Sequence, residues 1–318
     1  MPKVITIGNT DIPLGSSAKI DLKVARLPSY AMISIPVHVY RAKEDGPVLL
    51  LLAGMHGDEV NGIEIIRRMV IDKSIYPQKG TVIAIPILNI YGFLNYSREV
   101  PDGKDVNRNF PGSRRGSLAS RIAAHFMAEI FPLIDYGIDF HTGGGNRSNY
   151  PQIRTTINLK SHFELAQAFG APFLLNARFR DKSLRKQAAL KGKPIIVYEA
   201  GEAERLDEYA IEEGIKGALR VMNYLEMKDV EVDENTDTKL FQKSSWMRAN
   251  QSGLFRAVVK LGQKVERKQL LGTIGDPYGE IQYKIKAPVT GYIVGLSYSP
   301  VVSQGDALIH IGVEESRV

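Results

Sequence analysis

The sequence predicts an α/β fold, a mixed sheet flanked by helices, followed by a small all-β domain. Strand and helix signals alternate over roughly the first three quarters of the chain. An acidic stretch, Lys228 to Leu240, then carries few large apolar residues. Beyond it, short β-like runs separated by glycine turns replace the helix signals. A chain of 318 residues, 44% hydrophobic, has material for one large core and one small one. The expected division is a first domain over 1–230, N-terminal strands included, a linker over 231–240 and a β domain over 241–318.

Val48 to Ala53 is uniformly apolar and strand-sized, so it reads as a buried strand. After Gly54-Met-His-Gly57, the residues Val60, Ile63, Ile66 and Val70 recur at helical steps. Thr81 to Leu88, interrupted by Pro86, and Tyr136 to Phe140 are further strands. Between them Leu118, Ile122, Phe126 and Ile130 mark a helix with a four-residue stripe. Lys193 to Tyr198 is a fourth strand, behind a Gly192 able to close the preceding helix. A long helix then carries Ile211, Ile215, Ala218, Met222 and Leu225 on one face.

The C-terminal part holds an imperfect repeat. Gly253-Leu-Phe-Arg-Ala-Val-Val leads to Val265 and Leu271-Gly-Thr-Ile274, while Gly291-Tyr-Ile-Val-Gly-Leu leads to Val302 and Leu308-Ile-His-Ile311. Two such halves, the second opening with Ala287-Pro288, resemble the biotinyl/lipoyl sandwich. That fold's carriers modify a lysine in the hairpin joining the halves, and the hairpin here, near Gly275-Asp-Pro-Tyr-Gly279, contains none. The domain is read as a lid, a substrate-access collar or the oligomerisation element of a homo-oligomer.

Composition excludes several classes. There is no cysteine, so disulfides and thiolate ligands are out and any metal must be held by His, Asp or Glu. No window approaches the ~20 apolar residues of a membrane span. The start, Met-Pro-Lys-Val-Ile-Thr-Ile, lacks a secretory signal's apolar core, so a soluble cytoplasmic protein is expected. Net charge is +6 and the sequence pI is near 9.2. The basic residues are scattered rather than striped, which argues against nucleic acid and fits solubility charge or anionic small substrates.

Three motifs carry chemistry. In Gly54-Met-His56-Gly-Asp-Glu59, a helix opening just after the strand would put one imidazole and one carboxylate on its first turn, converging on a single ion. Gly54 and Gly57 would let the backbone turn sharply. Ligands in open α/β sheets collect at the carboxyl ends of strands, where this motif sits. In Asp139-Phe-His141-Thr-Gly-Gly-Gly145 a second apolar run ends in a histidine, and a His, Glu, His set leaves zinc's fourth position open for water. Asp139 lies on the same strand face as His141, where it could orient a ligand or serve as a buried structural carboxylate. In Asp105-Val-Asn107-Arg108-Asn-Phe-Pro-Gly112, amide and guanidinium donors suit a carboxylate.

In this order the trio resembles the succinylglutamate desuccinylase and aspartoacylase family, itself related to zinc carboxypeptidases, over roughly Val48 to Met227. The resemblance implies a carboxypeptidase-like fold and hydrolysis of a small anionic N-acyl amino acid with one zinc ion per chain. It assigns His56, Glu59 and His141 as ligands, Glu199 in Ile195-Ile-Val-Tyr-Glu199 as general base, and Asn107 and Arg108 as carboxylate clamp. An arginine polarising the scissile carbonyl carries over to Arg98. Arg185, upstream of the Glu199 strand, could add a substrate contact. The stretch Ala200-Gly-Glu-Ala-Glu-Arg205 departs from the family in its charge. His38, His125, His162 and His310 have no ligand-like setting and are expected to be structural. A metallocarboxypeptidase acting on peptides, or a non-catalytic binding protein on the same fold, are the competing functions.

Overall fold

A computed structural model describes residues 4–26, 30, 32–231 and 237–313. In chain order the elements are strands β1 (Ile5–Ile7), β2 (Thr10–Ile12), β3 (Ser17–Arg26), β4 (Met32–Arg41) and β5 (Glu44–Leu52), helix α1 (Asn61–Ile71), β6 (Lys79–Ile85), and the short helix α2 (Ile90–Leu94). A 3-10 turn at Val106–Arg108 precedes α3 (Leu118–Glu129), β7 (Tyr136–Gly143), β8 (Arg147–Thr155), α4 (Lys160–Phe169) and β9 (Phe173–Asn176). Then come α5 (Leu184–Leu190), β10 (Ile195–Glu202) and α6 (Glu208–Tyr224). The C-terminal strands are β11 (Lys239–Phe241), β12 (Ser244–Arg248), β13 (Gly253–Ala257), β14 (Lys264–Val265), β15 (Leu270–Gly275), β16 (Gln282–Lys286), β17 (Gly291–Ser297), β18 (Val301–Val302) and β19 (Ala307–Val313).

Strands β10, β7, β5 and β6 are parallel neighbours at the centre of a mixed sheet, with β4 and β3 added antiparallel on one side and β8 antiparallel on the other. Both faces of the centre are covered. Leu50 and Leu52 pack toward β1 to β3 and α3, whereas Leu49, Leu51 and Ala53 pack toward α1 and α6. A strand buried on both faces has no polar side to present, hence the unbroken apolar run Val48 to Ala53. On β3, by contrast, buried Ile20, Leu22 and Val24 alternate with exposed Lys19, Asp21 and Lys23, as befits a one-sided antiparallel flank.

β8 is the pivot of the molecule. Its outer edge is taken by β17 at Arg147–Asn149 and by β9 at Gln152–Thr155. Through β17 the main sheet continues into β19 and β12, so the C-terminal strands extend it. A second, four-stranded sheet of order β16-β15-β13-β18 faces them. Phe255, Leu271 and Ile274 from that sheet and Ile293, Leu308 and Ile311 from β17 and β19 share one core. An aromatic junction of Phe173, Phe241, Tyr150 and Tyr292 with Val294 seals the two parts together. Lys239 and Leu240, at the end of the expected linker, already form β11 and pair with β9. Val232 to Thr236 lie outside the described residues. We propose the domain division within 231–240.

Three local expectations are corrected. Helix α1 starts at Asn61, so His56 and Glu59 stand in a turn before the helix, closed by Glu59 N–H donating to the His56 carbonyl (3.3 Å). Gly54 does adopt the left-handed region (φ +58°), but Gly57 is required for a different reason: a Cβ there would lie 1.8 Å from the Gly92 carbonyl carbon. Finally, β10 runs to Glu202, which puts Glu199 inside the strand rather than at its end.

Candidate active site

The turn after β5 and the end of β7 are adjacent because the two strands are parallel neighbours, and this brings His56 and Glu59 to His141. All three are buried, at 2%, 2% and 5% exposure. Glu59 Oε1 lies 2.8 Å from His56 Nδ1 and Glu59 Oε2 lies 2.8 Å from His141 Nδ1. One donor atom from each falls within 4.8 Å of the others. The carboxylate is also fixed from behind, since Thr142 N–H donates to Oε2 (3.0 Å).

Each imidazole is backed by a second carboxylate. His56 Nε2 is 3.2 Å from Asp105 Oδ1, and His141 Nε2 is 3.0 Å from Asp139 Oδ2. This is the outer arrangement that fixes ring orientation in histidine-ligated metal sites. Burial alone would raise the Glu59 carboxyl, yet the two imidazoles hold it well below the usual carboxylate range. Burial would lower both histidines, but Glu59 with Asp105 raises His56, and Asp139 with Glu59 raises His141. Buried negative charge here draws in positive charge. Two imidazoles and a carboxylate converging this way fit a divalent ion such as zinc and leave a coordination position open.

Arg98 enters from the loop after α2. Its Nη2 donates to Asp105 Oδ2 (2.9 Å) and its Nη1 is 3.3 Å from Glu59 Oε1. Asp105 also accepts from Asn107 N–H (2.7 Å), capping the 3-10 turn that presents Asn107 and Arg108. The Asn107 carboxamide oxygen takes the Leu184 N–H (3.0 Å), which ties this turn to α5 and leaves the amide NH2 to offer. Arg108 is partly exposed and braced on the Asn107 carbonyl (2.6 Å). Arg185, in α5, donates through Nη2 to the carbonyls of Ala177 and Arg178 while its buried Nη1 has no partner among the described residues. Burial and the nearby Arg154 push this guanidinium down to about 10.

Glu199 sits on β10 directly opposite His141 of β7. Its Oε2 accepts from Asn149 Nδ2 (2.7 Å) and its Oε1 lies 3.3 Å from Arg154 Nη1. All eight residues expected from the sequence line one cavity of about 1290 Å³. Seven arginines line it, adding Arg147, Arg154, Arg178 and Arg180 to Arg98, Arg108 and Arg185, against five carboxylates. With a divalent ion on Glu59, that balance is decidedly cationic. His38, His125, His162 and His310 are not part of its lining.

The succinylglutamate desuccinylase/aspartoacylase catalytic domain matches residues 45–225, more than half of the chain. The chain belongs to this family. Among curated proteins it is 26% identical over 307 residues to the N-alpha-acetyl-L-2,4-diaminobutyric acid deacetylase of Halomonas elongata, covering 88% of this chain and 86% of that protein. Solved structures share the fold. The succinylglutamate desuccinylase of Silicibacter superposes with a TM-score of 0.85 at 23% identity over 99% of both chains. The product-bound ectoine utilization protein EutE of Ruegeria pomeroyi gives 0.84 at 23%, over 95% of this chain and 97% of that one.

The family match spans every residue singled out from the sequence for this site. Several neighbours were not foreseen in their present places. Asp105 was visible only as part of a loop motif, and its contact with His56 depends on how that loop folds back. Asn149 and Arg154 lie on β8, whose sequence Arg-Ser-Asn-Tyr-Pro-Gln-Ile-Arg-Thr has a central proline and no apolar alternation. Trp246 reaches the cavity from β12, far along the chain, with the Arg147 guanidinium 5.7 Å from its ring centre.

Proposed function

We propose that this chain is a cytoplasmic zinc-dependent hydrolase, with one ion per chain, that cleaves the amide bond of a small anionic N-acyl amino acid. The observation that carries the proposal is a buried His, Glu, His donor set beside a carboxylate held on the neighbouring strand, in one arginine-lined cavity. A bound ion would lower the pKa of water toward ~7 and draw charge from the carbonyl oxygen. Glu199 takes the water proton and hands it to the departing nitrogen, which leaves poorly as an unprotonated amide anion. Arg98 shares the charge that develops on the carbonyl oxygen. The Asn107 NH2 and the Arg108 guanidinium receive the substrate carboxylate, with Arg185 as a further contact. Asp105 and Asp139 keep the two imidazoles turned toward Glu59.

The deacetylase name of the Halomonas relative supports an N-acetyl amino acid as the first substrate to try. The surplus of arginines favours anionic side chains over cationic ones. The test is a panel of N-acetyl and N-succinyl amino acids, including N-acetyl diaminobutyrate and N-acetyl aspartate, with short peptides alongside, read by amine release and by zinc content. Zinc near one per chain and release from an N-acyl amino acid are expected. No release after zinc is restored would remove the hydrolase reading, and preference for peptides would replace it by a carboxypeptidase.

A further inference from the structure

We propose that Asn149 is the positioning residue of the Glu199 carboxylate, and that Gly295 of the C-terminal strand β17 makes the space in which Asn149 does this. The proposal rests on Glu199 being the base. Glutamate has three rotatable side-chain bonds, whereas a base must stand within about 2.6–3.2 Å of the proton it takes. Something must therefore hold it, and the 2.7 Å bond from Asn149 Nδ2 to Oε2 is the shortest polar contact the carboxylate makes, ahead of the 3.3 Å approach of Arg154 to Oε1.

Simple alternation would turn Asn149 away. Gln152 is opposite Glu199 across the β8–β10 ladder, and a residue three positions earlier belongs to the other face. The register shifts between these points, so that Asn149 pairs with Gly201, and Tyr150 and Pro151 together oppose Ala200. Such a bulge re-aims the side chain beyond it. Here it returns Asn149 to the face of Glu199. Pro151 is tolerated at this point because β17 leaves the outer edge of β8 at Asn149 and β9 joins only at Gln152, so no neighbour calls for its missing N–H.

The C-terminal part closes the other side. Gly295 pairs with Asn149 across β17 and β8. A Cβ at position 295 would stand 2.9 Å from Asn149 Oδ1 and 3.3 Å from both Trp246 and His310. Those two rings stack at 4.9 Å and 11°. The Asn149 carboxamide thus lies against Gly295, beside Trp246 and His310, is 4% exposed, and spends its amide group on Glu199 while its oxygen has no partner among the described residues. A buried amide oxygen left unpaired is unfavourable for folding, which points to a requirement at the site rather than to stability.

The test measures kcat and KM of the zinc-loaded full chain on its best substrate from the N-acyl amino acid panel, for Asn149→Ala, Gly295→Ala, their double variant, Glu199→Gln and Asn149→Ala combined with Glu199→Gln. Zinc content and thermal midpoint control for the fold, and crystal structures of the two alanine variants report on Glu199 directly. Asn149→Ala is expected to lower kcat about 10- to 100-fold with KM nearly unchanged. Gly295→Ala, which crowds the Asn149 carboxamide oxygen most closely, should lower kcat in the same way and add little to Asn149→Ala. In the Glu199→Gln background the loss of Asn149 should cost nothing more, and in crystals Glu199 should leave its rotamer. Wild-type kcat in Asn149→Ala, an undiminished further loss in the Glu199→Gln background, or an unmoved Glu199 carboxylate overturns the proposal. Turnover retained by Glu199→Gln alone would instead remove the base itself, a separate and recognisable outcome.

Discussion

Glu199 on β10 and His141 on β7 are directly paired in the parallel register of adjacent strands. A carboxylate and a metal-competent imidazole at the same level of neighbouring strands face one cavity without any loop having to carry either. The rigid ladder sets their separation, and the predictions below depend on it.

Changing Glu199 to Gln keeps the side chain's volume and its bond to Asn149 while removing the proposed base. Zinc content should stay near wild type, with kcat falling by a factor of about 100 to 10,000. His141→Ala should lose both zinc and turnover. Metal analysis beside steady-state kinetics separates the two, and a fully active Glu199→Gln enzyme would take that residue out of the mechanism.

Asp105 touches His56, Arg98 and the Asn107 backbone at once. Asp105→Asn should therefore weaken zinc binding and slow turnover by about 10- to 100-fold, the usual consequence of losing a carboxylate behind a ligating imidazole. Chelator competition gives the affinity. Unchanged affinity would show that His56 keeps its orientation without Asp105.

Gly57 packs against the backbone at Gly92 and Phe93, so even one methyl group has nowhere to go. Gly57→Ala should destabilise the protein by at least about 2 kcal/mol. Because this contact lies next to His56, zinc retention should fall with it. Denaturant unfolding of the two proteins is the measurement, and equal midpoints would show that the turn yields.

Glu64 in α1 accepts from Arg67 and Arg68, and these guanidinium groups hold its carboxyl at about 2, below the ordinary 4.5. A depressed carboxylate stabilises the folded state fully above pH 4.5 and loses that contribution as pH falls through 4.5 toward 2. Arg67 is largely exposed, so the contribution is about 1 kcal/mol. Glu64→Gln should consequently melt below wild type at pH 7, and the gap should narrow on acidification below pH 4.5. A gap that widens there contradicts the assignment.

Much of the site was legible because its motifs are local. His56 and Glu59 share one turn, His141 closes an apolar run, and Asn107 and Arg108 share a 3-10 turn, so short-range spacing carried their chemistry. The helix start was misplaced because His56 to Glu59 satisfies its own turn first, and α1 begins only beyond it. β8 went unread because its composition answers to its neighbours: a proline at a gap between two partner strands, and an asparagine aimed by a bulge.

Residue order alone specified the α/β class through periodicity and the His56, Glu59 and His141 candidates through two local motifs, while the family resemblance pointed to a carboxylate at Glu199. Only the folded chain decided that β8 stands between β10 and β17, that Asn149 meets Glu199, that Trp246 lines the cavity, and that Gly295 packs beside Asn149 and Trp246. Strand order is settled by which apolar faces can be buried together, as in the junction of Phe173, Phe241, Tyr150 and Tyr292, and that competition involves residues more than a hundred positions apart.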